Sequence, residues 1–178
     1  FGGWDMPLHY GSQIDEHHAV RTRAGVFDVS HMTVIDVSGP DSKVWLRYLL
    51  ANDVDRLQHP GKGLYSCMLN PAGGVIDDLI VYNTGANRYR VVVNAATRVA
   101  DLEWLQQSLG DKRVDLHERD DLLMLAVQGP LARQRTAALL PAGVAAAAME
   151  LGSFESCEQD GIFVARTGYT GEDGWELL

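Results

Sequence analysis

The sequence predicts an α+β protein that combines antiparallel β-sheet with helices. Three strand-like segments follow one another between residues 63 and 96, joined by the short links PAGG and TGAN. Such turn-forming links are typical of hairpins between antiparallel strands. Segments with helical spacing of apolar residues lie before and after this meander. A further strand pair is predicted on either side of the glycine-rich stretch TGYTGEDG near the end of the chain.

Composition places the chain among ordinary globular proteins. Of its 178 residues, 46% are hydrophobic and 22% are charged. No apolar run approaches the roughly 18 residues of a membrane helix, so we expect a soluble chain. The net charge of -9, with scattered Lys and Arg, disfavours binding to nucleic acid. Cys67 and Cys157 are far apart, which predicts neither a disulfide framework nor a zinc site.

Three helices are predicted from their start and stop signals. Ser12 is expected to cap the first helix, with Gly25 as a left-handed stop. Pro40 opens the second helix, and Thr97 caps the third, which ends at Gly110. The apolar stripes are Val44, Leu46, Leu49 and Leu50 in the second helix, and Val99, Leu102, Leu105 and Leu109 in the third.

One pattern occurs twice. VSGPDSKVWLRYLL at 37–50 and VQGPLARQRTAALL at 127–140 share a strand, Gly-Pro and a helix, with Leu-Leu at the same offset. Either this marks a repeated unit, or Gly-Pro is simply a favourable way to leave a strand and begin a helix. The Ala-rich segment at 141–160 has no clear period and is predicted to link units.

Two adjacent acids, Asp77 and Asp78, stand inside the apolar strand GVIDDLIVYN. Successive strand residues face opposite sides, so Asp77 shares one face with Leu79 and Asp78 shares the other with Ile80. Because both faces carry apolar residues, we expect the strand to be covered on both sides, where an unpaired carboxylate is costly. Either both acids accept hydrogen bonds from the Gly73–Gly74 turn or from an arginine, or one of them carries chemistry.

The stretch TGYTGEDGWE, residues 167–176, is a second candidate. Its glycines let the backbone approach a ligand, Tyr169 offers a ring for stacking, and Glu176 offers a hydrogen-bond acceptor. The stretch lacks the lysine of a P-loop and precedes no helix, so by pattern alone a hairpin turn is favoured. Glu16, His17 and His18 are consecutive and would point apart on a helix, which predicts no metal site.

Four long motifs together closely resemble the aminomethyltransferases, or T-proteins, of the glycine cleavage system. They are FGGWDMPLHYGSQIDEHHAVRTRAGVFDVSHM, LYSCMLNPAGGVIDDLIVY, VVVNAATRVADLEW and RTGYTGEDGWE. The resemblance implies an enzyme that receives an aminomethyl group on the lipoyl arm of a carrier, the H-protein, and passes the one-carbon unit to tetrahydrofolate with release of ammonia. Tetrahydrofolate is then a substrate, and no metal, nucleic acid or membrane is expected as a partner.

The resemblance also implies a site. Asp78 corresponds to the main catalytic acid of the family, which lies beside the reactive part of the folate, and a positioned carboxylate can relay a proton there. Glu176 can accept hydrogen bonds from the amide-and-amine edge of the pterin, while Asp77, on the opposite face, is expected to be structural. The residues implied to bind folate are Met32, Tyr65, Asp78, Asn94, Tyr169 and Glu176.

The implied architecture is a folate-binding aminomethyltransferase-like fold of two α+β units. Residues 1–50 and 141–178 are expected to form the first, discontinuous domain, and residues 51–140 an inserted domain. Family members are about twice as long, so we expect this chain to be the front part of a longer protein, without its C-terminal half. The expected location is the bacterial cytoplasm, or the mitochondrial matrix if the protein is eukaryotic.

Other interpretations within the same superfamily keep the fold and change the activity. A folate-binding protein that assists iron-sulfur cluster assembly would carry a K-G-C-Y-x-G-Q-E type motif, whereas this chain has GKGLYSCMLN. A folate-dependent demethylase commonly departs from DVSHM or GGVIDDL, and both are intact here. A purely structural protein would leave the paired acids unexplained.

Overall fold

The computed structural model describes residues 2–178, and Phe1, the first residue of the predicted first domain, lies outside them. Within that range the α-helices are α1 (Gln13–Thr22), α2 (Ser42–Leu49), α3 (Arg98–Gln107), α4 (Ala132–Ala137) and α5 (Ala142–Met149). A 3-10 helix spans Val54–Arg56. The strands are β1 (Gly25–Asp28), β2 (Thr33–Ser38), β3 (Gly63–Leu69), β4 (Val75–Gly85), β5 (Arg88–Val93), β6 (Asp115–Glu118), β7 (Leu125–Gln128), β8 (Glu155–Gln159), β9 (Ile162–Arg166) and β10 (Gly174–Leu177).

The chain forms two compact units, each built on its own five-stranded antiparallel sheet, which confirms the predicted α+β class. The first unit runs to His31 and resumes at Leu123–Leu178, and the second unit is Met32–Leu122. The sequence suggested changes of unit after residues 50 and 140, whereas they occur after residues 31 and 122. The difference arises because β2 pairs with β5 and β6 in the second unit, and β7 pairs with β1 and β10 in the first.

The second unit has the strand order β3-β4-β5-β2-β6. The predicted meander is confirmed, since β4 pairs antiparallel with both β3 and β5. Trp45, Leu46 and Leu49 of α2 are buried in the core, but Val44, predicted on the same stripe, is exposed. On α3 the predicted Val99 is likewise exposed, and the residues that α3 buries are Asp101 and Leu105.

The first unit has the strand order β1-β7-β10-β9-β8. The prediction of a linker at 141–160 is wrong, because this segment forms α5 and β8. Val144 and Ala148, one helical turn apart, are fully buried with Val164 and Trp175, so α5 supplies part of the core. The sequence shows no helical period here because alanines occupy both the buried stripe and the exposed side of α5.

The boundaries of α1 agree with the prediction at one end only. Ser12 caps the helix, and its side chain accepts a hydrogen bond from the Asp15 backbone N–H. The helix ends at Thr22, the backbone N–H of the following Arg23 bonds to the Ala19 carbonyl, and Gly25 instead begins β1. No helix among residues 2–178 combines the length and apolar character needed to cross a membrane.

The Gly-Pro pattern marks two equivalent positions. When the sheets are read from β1 and from β6, their strand orders match. A short outer strand comes first, the strand followed by Gly-Pro comes second, and the three strands of a meander follow in reverse chain order. Gly39 and Gly129 both have positive φ, 122° and 130°. The matching topology favours a repeated unit over a coincidence of turn chemistry.

Candidate functional site

The two acids of β4 lie on opposite faces, as strand alternation predicted. Asp77 is buried together with Leu79 and Val81 on the face that packs on the core. Asp78 is exposed on the other face, next to the half-buried Ile80. The expectation that both faces are covered is therefore wrong at Asp78, because the packing of residues 2–178 leaves this side chain exposed.

Hydrogen bonds from neighbouring strands hold the Asp78 carboxylate in place. The Tyr65 hydroxyl donates to Asp78 Oδ2 at 2.7 Å, and Asn94 Nδ2 donates to Asp78 Oδ1 at 3.1 Å. The register explains this contact, because Cys67 pairs with Asp78 and Tyr65 stands two residues from Cys67 on the same face. Its bond to Asp78 raises the pKa of the Tyr65 phenol, so Tyr65 remains a donor. Each carboxylate oxygen thus has a fixed donor.

Asp77 is satisfied by a different set of bonds. Asn94 donates to it twice, from the backbone N–H to Oδ2 at 3.1 Å and from Nδ2 to Oδ1 at 2.9 Å. The Thr97 hydroxyl donates to Oδ2 at 2.9 Å. Burial alone would raise the pKa of Asp77, but its hydrogen bonds, above all the two from Asn94, outweigh burial and lower it. These partners replace the turn glycines or arginine considered from the sequence, and they support a structural role for Asp77.

Met32 lies at the same end of the β2–β5 strand pair as Asn94. Thr33 pairs with Val93 at the end of the β2–β5 ladder, so the next residue on each strand, Met32 and Asn94, leaves the sheet there. Met32 is half-buried. The second unit therefore brings four of the predicted residues to one region: Met32, Tyr65, Asp78 and Asn94.

The other two predicted residues, Glu176 and Tyr169, belong to the first unit. Glu176 lies on the central strand β10 and is buried, with 4% of its surface exposed. Its Oε1 accepts hydrogen bonds from the Thr167 hydroxyl at 2.6 Å and from Gln128 Nε2 at 3.2 Å. Thr170 donates in turn to Gln128 Oε1 at 3.0 Å. Glu176 thus ends a small polar network inside an otherwise apolar sheet.

One oxygen of Glu176 is left without a donor. Oε2 is buried and has no hydrogen-bond partner among the described residues. Burial raises the pKa of Glu176 to about 7, although the bonds from Thr167 and Gln128 act in the opposite direction. A buried acceptor that lacks a donor is a natural partner for the N–H groups of a ligand.

The turn between β9 and β10 is held by ion pairs. Arg21 contacts Glu172 at 2.9 Å, and Arg166 contacts Asp173 at 2.9 Å. The hairpin predicted by pattern is confirmed by the β9–β10 pairing. Tyr169, at the tip of this turn, is exposed and available for stacking. Both acids of the turn, Glu172 and Asp173, are thus structural, which leaves Glu176 on β10 as the acid of this stretch that is not in an ion pair.

Sequence reasoning missed several members of these networks. Gln128 and Thr167 were not predicted. Gln128 is the last residue of β7 and Thr167 directly follows β9, and both strands pair with β10, which carries Glu176. Thr97 was predicted as a helix cap, but its side chain makes no cap bond and serves Asp77 instead. Asp101 was also missed, and the available signal was an acid four residues before Leu105 on the stripe that α3 buries.

No group of three or more His, Cys, Asp or Glu side chains in the described part of the chain converges in a way that could hold a metal ion. The sequence model of the GCVT N-terminal domain matches residues 1–178, the whole chain. The chain belongs to the GCVT N-terminal domain family.

Curated members of the GCVT family are close in sequence. The chain is 59% identical over 178 residues to an aminomethyltransferase of Pseudomonas syringae pv. tomato and 57% identical over 183 residues to an aminomethyltransferase of Xanthomonas axonopodis pv. citri. Each alignment covers 100% of this chain but 49% and 50% of the relative. The chain therefore spans about half the length of the curated relatives it matches.

A solved GCVT structure shares the fold. The glycine cleavage system aminomethyltransferase T from Bartonella henselae superposes with a TM-score of 0.88 at 36% identity, covering 99% of this chain and 48% of that chain. A heterotetrameric sarcosine oxidase from Corynebacterium sp. U-96 gives a TM-score of 0.53 at 15% identity over 92% of this chain and 80% of that chain. The second likeness concerns the fold alone.

Proposed function

We propose that the protein is a tetrahydrofolate-dependent aminomethyltransferase of glycine cleavage. The observation that carries the proposal is the accessible and oriented Asp78 carboxylate, in a chain that matches the aminomethyltransferase family over its whole length. The donor is an aminomethyl group on the lipoyl arm of the H-protein, and the acceptor is tetrahydrofolate. The relatives at 57–59% identity are bacterial, which supports a bacterial cytoplasmic enzyme over a mitochondrial one.

The reaction exchanges two bonds of one carbon atom. The carbon loses its bond to the amine and its bond to the lipoyl sulfur, and it gains bonds to two nitrogens of tetrahydrofolate. The two N–H protons of the folate end on the leaving amine and on the sulfur, so ammonia and the reduced lipoyl arm are released. No oxidant is needed. The protein must therefore orient the folate nitrogen and move protons.

Asp78 is suited to both tasks. Tyr65 and Asn94 each occupy one of its oxygens, which restricts the side chain to one orientation. Each carboxylate oxygen has a second lone pair, so the group can still accept the proton of a folate nitrogen and pass it to the leaving amine. Its exposure in this chain leaves room for the substrate to approach.

Glu176 is the proposed partner of the pterin edge. The donor-free Oε2 can accept from an N–H of the ring, and the ring's amide and amine groups present such donors. Tyr169 can stack on the flat ring, and the thioether of Met32 can line an apolar wall. This assignment requires the full-length protein, because a complete pocket normally encloses most of a ligand of this size.

Replacing Asp78 by asparagine tests the proposal. In the full-length protein, with an aminomethyl-loaded lipoyl carrier and tetrahydrofolate, we expect Asp78→Asn to lower the rate of ammonia release by about 100-fold or more, because the amide cannot take up the proton. Folate binding, measured by titration calorimetry, should change little. Asp115→Asn, which alters an exposed acid on β6 of the same unit, is the matched control and should keep the wild-type rate.

Two results would refute the proposal. If the wild-type protein binds folate but releases no ammonia from the loaded carrier, the protein is a folate-binding member of the family and not a transferase. If Asp78→Asn turns over as fast as the wild type, the catalytic role of Asp78 is wrong, and the activity must depend on another group.

A further inference from the structure

Asp101 is an acid inside the core of the second unit that the proposed reaction does not use. It lies on α3, which packs against β4, and its relative exposure is 0%. Neither of its carboxyl oxygens has a hydrogen-bond donor among residues 2–178. An ionised carboxylate in such a position is strongly disfavoured, because it has neither water nor a donor to replace water.

The group that faces Asp101 is another acid. Thr97, one helical turn before Asp101, donates its hydroxyl to Asp77 Oδ2 at 2.9 Å, which brings the Asp77 carboxyl on β4 against the Asp101 carboxyl. Two ionised carboxylates are both acceptors and repel each other, so this contact requires a proton on one of them. The nearest cation on the same helix, Arg98, is exposed and is paired with Glu118 at 2.7 Å. No positively charged side chain is among the described groups that shift the pKa of Asp101.

The hydrogen-bond pattern decides which acid holds the proton. Asp77 accepts three hydrogen bonds, two from Asn94 and one from Thr97, and these favour its ionised form. Asp101 accepts none. Burial raises the pKa of Asp101 to about 7. The nearby Thr97 hydroxyl lowers this pKa, and the facing Asp77 carboxyl raises it further.

We propose that Asp101 is a neutral carboxylic acid that donates a hydrogen bond to Asp77 and thereby positions Asn94 and, through it, the Asp78 carboxylate. Asn94 is held to Asp77 by two hydrogen bonds, and its side-chain amide also donates a hydrogen bond to Asp78 Oδ1. A change in Asp77 is therefore transmitted to Asp78 through one amide group. Asp101 is fully buried and acts through Asp77 and Asn94, so it is a positioning residue. Its effect on the reaction rests on the proposed function, whereas its protonation does not.

Infrared spectroscopy tests the protonation directly. In the full-length protein carrying isotope-labelled aspartate carboxyls, a neutral acid gives a C=O band separate from that of carboxylates. At about pH 6, below the raised pKa of the group, we expect this band in the wild type and its loss in Asp101→Asn. Asp111→Asn, an exposed acid after the same helix, should retain it. Absence of the band in the wild type, or its persistence in Asp101→Asn, would overturn the proposal.

Two replacements of similar size test the positioning role. The amide of Asp101→Asn can still donate to Asp77, so its transfer rate should stay within about threefold of the wild type. Asp101→Leu removes the donor, and the rate should fall about tenfold or more, with little change in the KM for folate. Equal rates for a folded Asp101→Leu and the wild type would refute positioning. If Asp101→Leu does not fold, a loss of rate in Asp101→Asn as large as in Asp78→Asn would refute it instead.

The two proposals can fail separately. If the wild type itself transfers no one-carbon unit, the proposed function fails, and the infrared band still decides whether Asp101 is neutral. If the wild type is active and the band is missing, the inference about Asp101 fails and the proposed function stands.

Discussion

The amide group of Asn94 serves both neighbouring acids of β4. It donates to Asp77 Oδ1 at 2.9 Å and to Asp78 Oδ1 at 3.1 Å, although these side chains leave the strand on opposite faces. This is possible because Asn94 follows the last residue of β5, where the chain is free to turn across the sheet edge. The buried acid and the exposed acid are thus linked by a single side chain.

The second donor to Asp78 provides a prediction at the scale of one atom. Tyr65→Phe removes the hydroxyl that donates to Asp78 Oδ2 and leaves the ring in place. A bond to a charged acceptor contributes about 1.5 kcal/mol, so under the proposed function loss of orientation should lower the transfer rate of the full-length protein about tenfold. Steady-state measurement of ammonia release checks this.

The stability of Tyr65→Phe serves as its control. Tyr65 is about half exposed, so removal of its hydroxyl should leave the urea midpoint nearly unchanged. A rate equal to that of the wild type would contradict the role of Tyr65 in orienting Asp78. A large drop in the midpoint would indicate that the tyrosine acts through the fold instead.

The Gly-Pro junctions recur because the backbone at each glycine has no room for a side chain. A Cβ at Gly39 would lie 2.3 Å from the Arg113 carbonyl oxygen, and one at Gly129 would lie 2.5 Å from that of Val20. Both glycines also have positive φ, which L-residues with a Cβ adopt only under strain. At each strand-to-helix junction, the backbone of the glycine therefore packs directly against the backbone of another segment.

A pair of glycine replacements tests this packing. Gly129→Ala should lower the free energy of unfolding by about 3 kcal/mol, because it combines backbone strain with displacement of the Val20 carbonyl. Gly161→Ala, at a turn with φ of 76° and open space around the new methyl, should lose only about 1 kcal/mol. Urea unfolding of both variants measures the difference. Equal losses would show that the close approach contributes nothing.

For the protein as a whole, two buried acids with raised pKa values contribute to the pH dependence of stability near neutrality. Glu176 in the first unit and Asp101 in the second each have a pKa of about 7 when folded. The folded protein holds protons that the unfolded chain releases at lower pH. The contribution of each group is therefore fully present below its ordinary pKa, and it decreases as pH rises to about 7.

We accordingly expect the free energy of unfolding to fall between about pH 5 and about pH 8, by about 2 kcal/mol for each group. Acids with lowered pKa values, such as Asp36 and Asp77, contribute the opposite trend only at more acidic pH. The double variant Glu176→Gln, Asp101→Asn should remove most of the decline. Urea midpoints across this range check the prediction, and an unchanged slope in the double variant would contradict it.

The predictions from sequence were most accurate where the signal is local. The meander followed from its turns, and the cap of α1 followed from Ser12, because turn and cap chemistry involves residues close in the chain. The predicted stripes failed at Val44 and Val99, which are exposed, since helical spacing alone does not say how wide the buried face is. The Ala-rich helix α5 was missed because its buried stripe has the same composition as its exposed side.

The amino-acid sequence by itself determined the α+β class, the antiparallel meander, the long motifs of the family and the adjacency of two acids on a strand. Those features depend on spacing, turn residues and alternation. Only the tertiary structure decided that Asp77 is buried and Asp78 exposed, that Glu176 lacks a donor on one oxygen, and that Asp101 faces Asp77. The physical reason is that burial and hydrogen bonding depend on which distant segments pack together. The packing of α3 on β4 and the pairing of β7 with β10 cannot be deduced from the sequence of either segment alone.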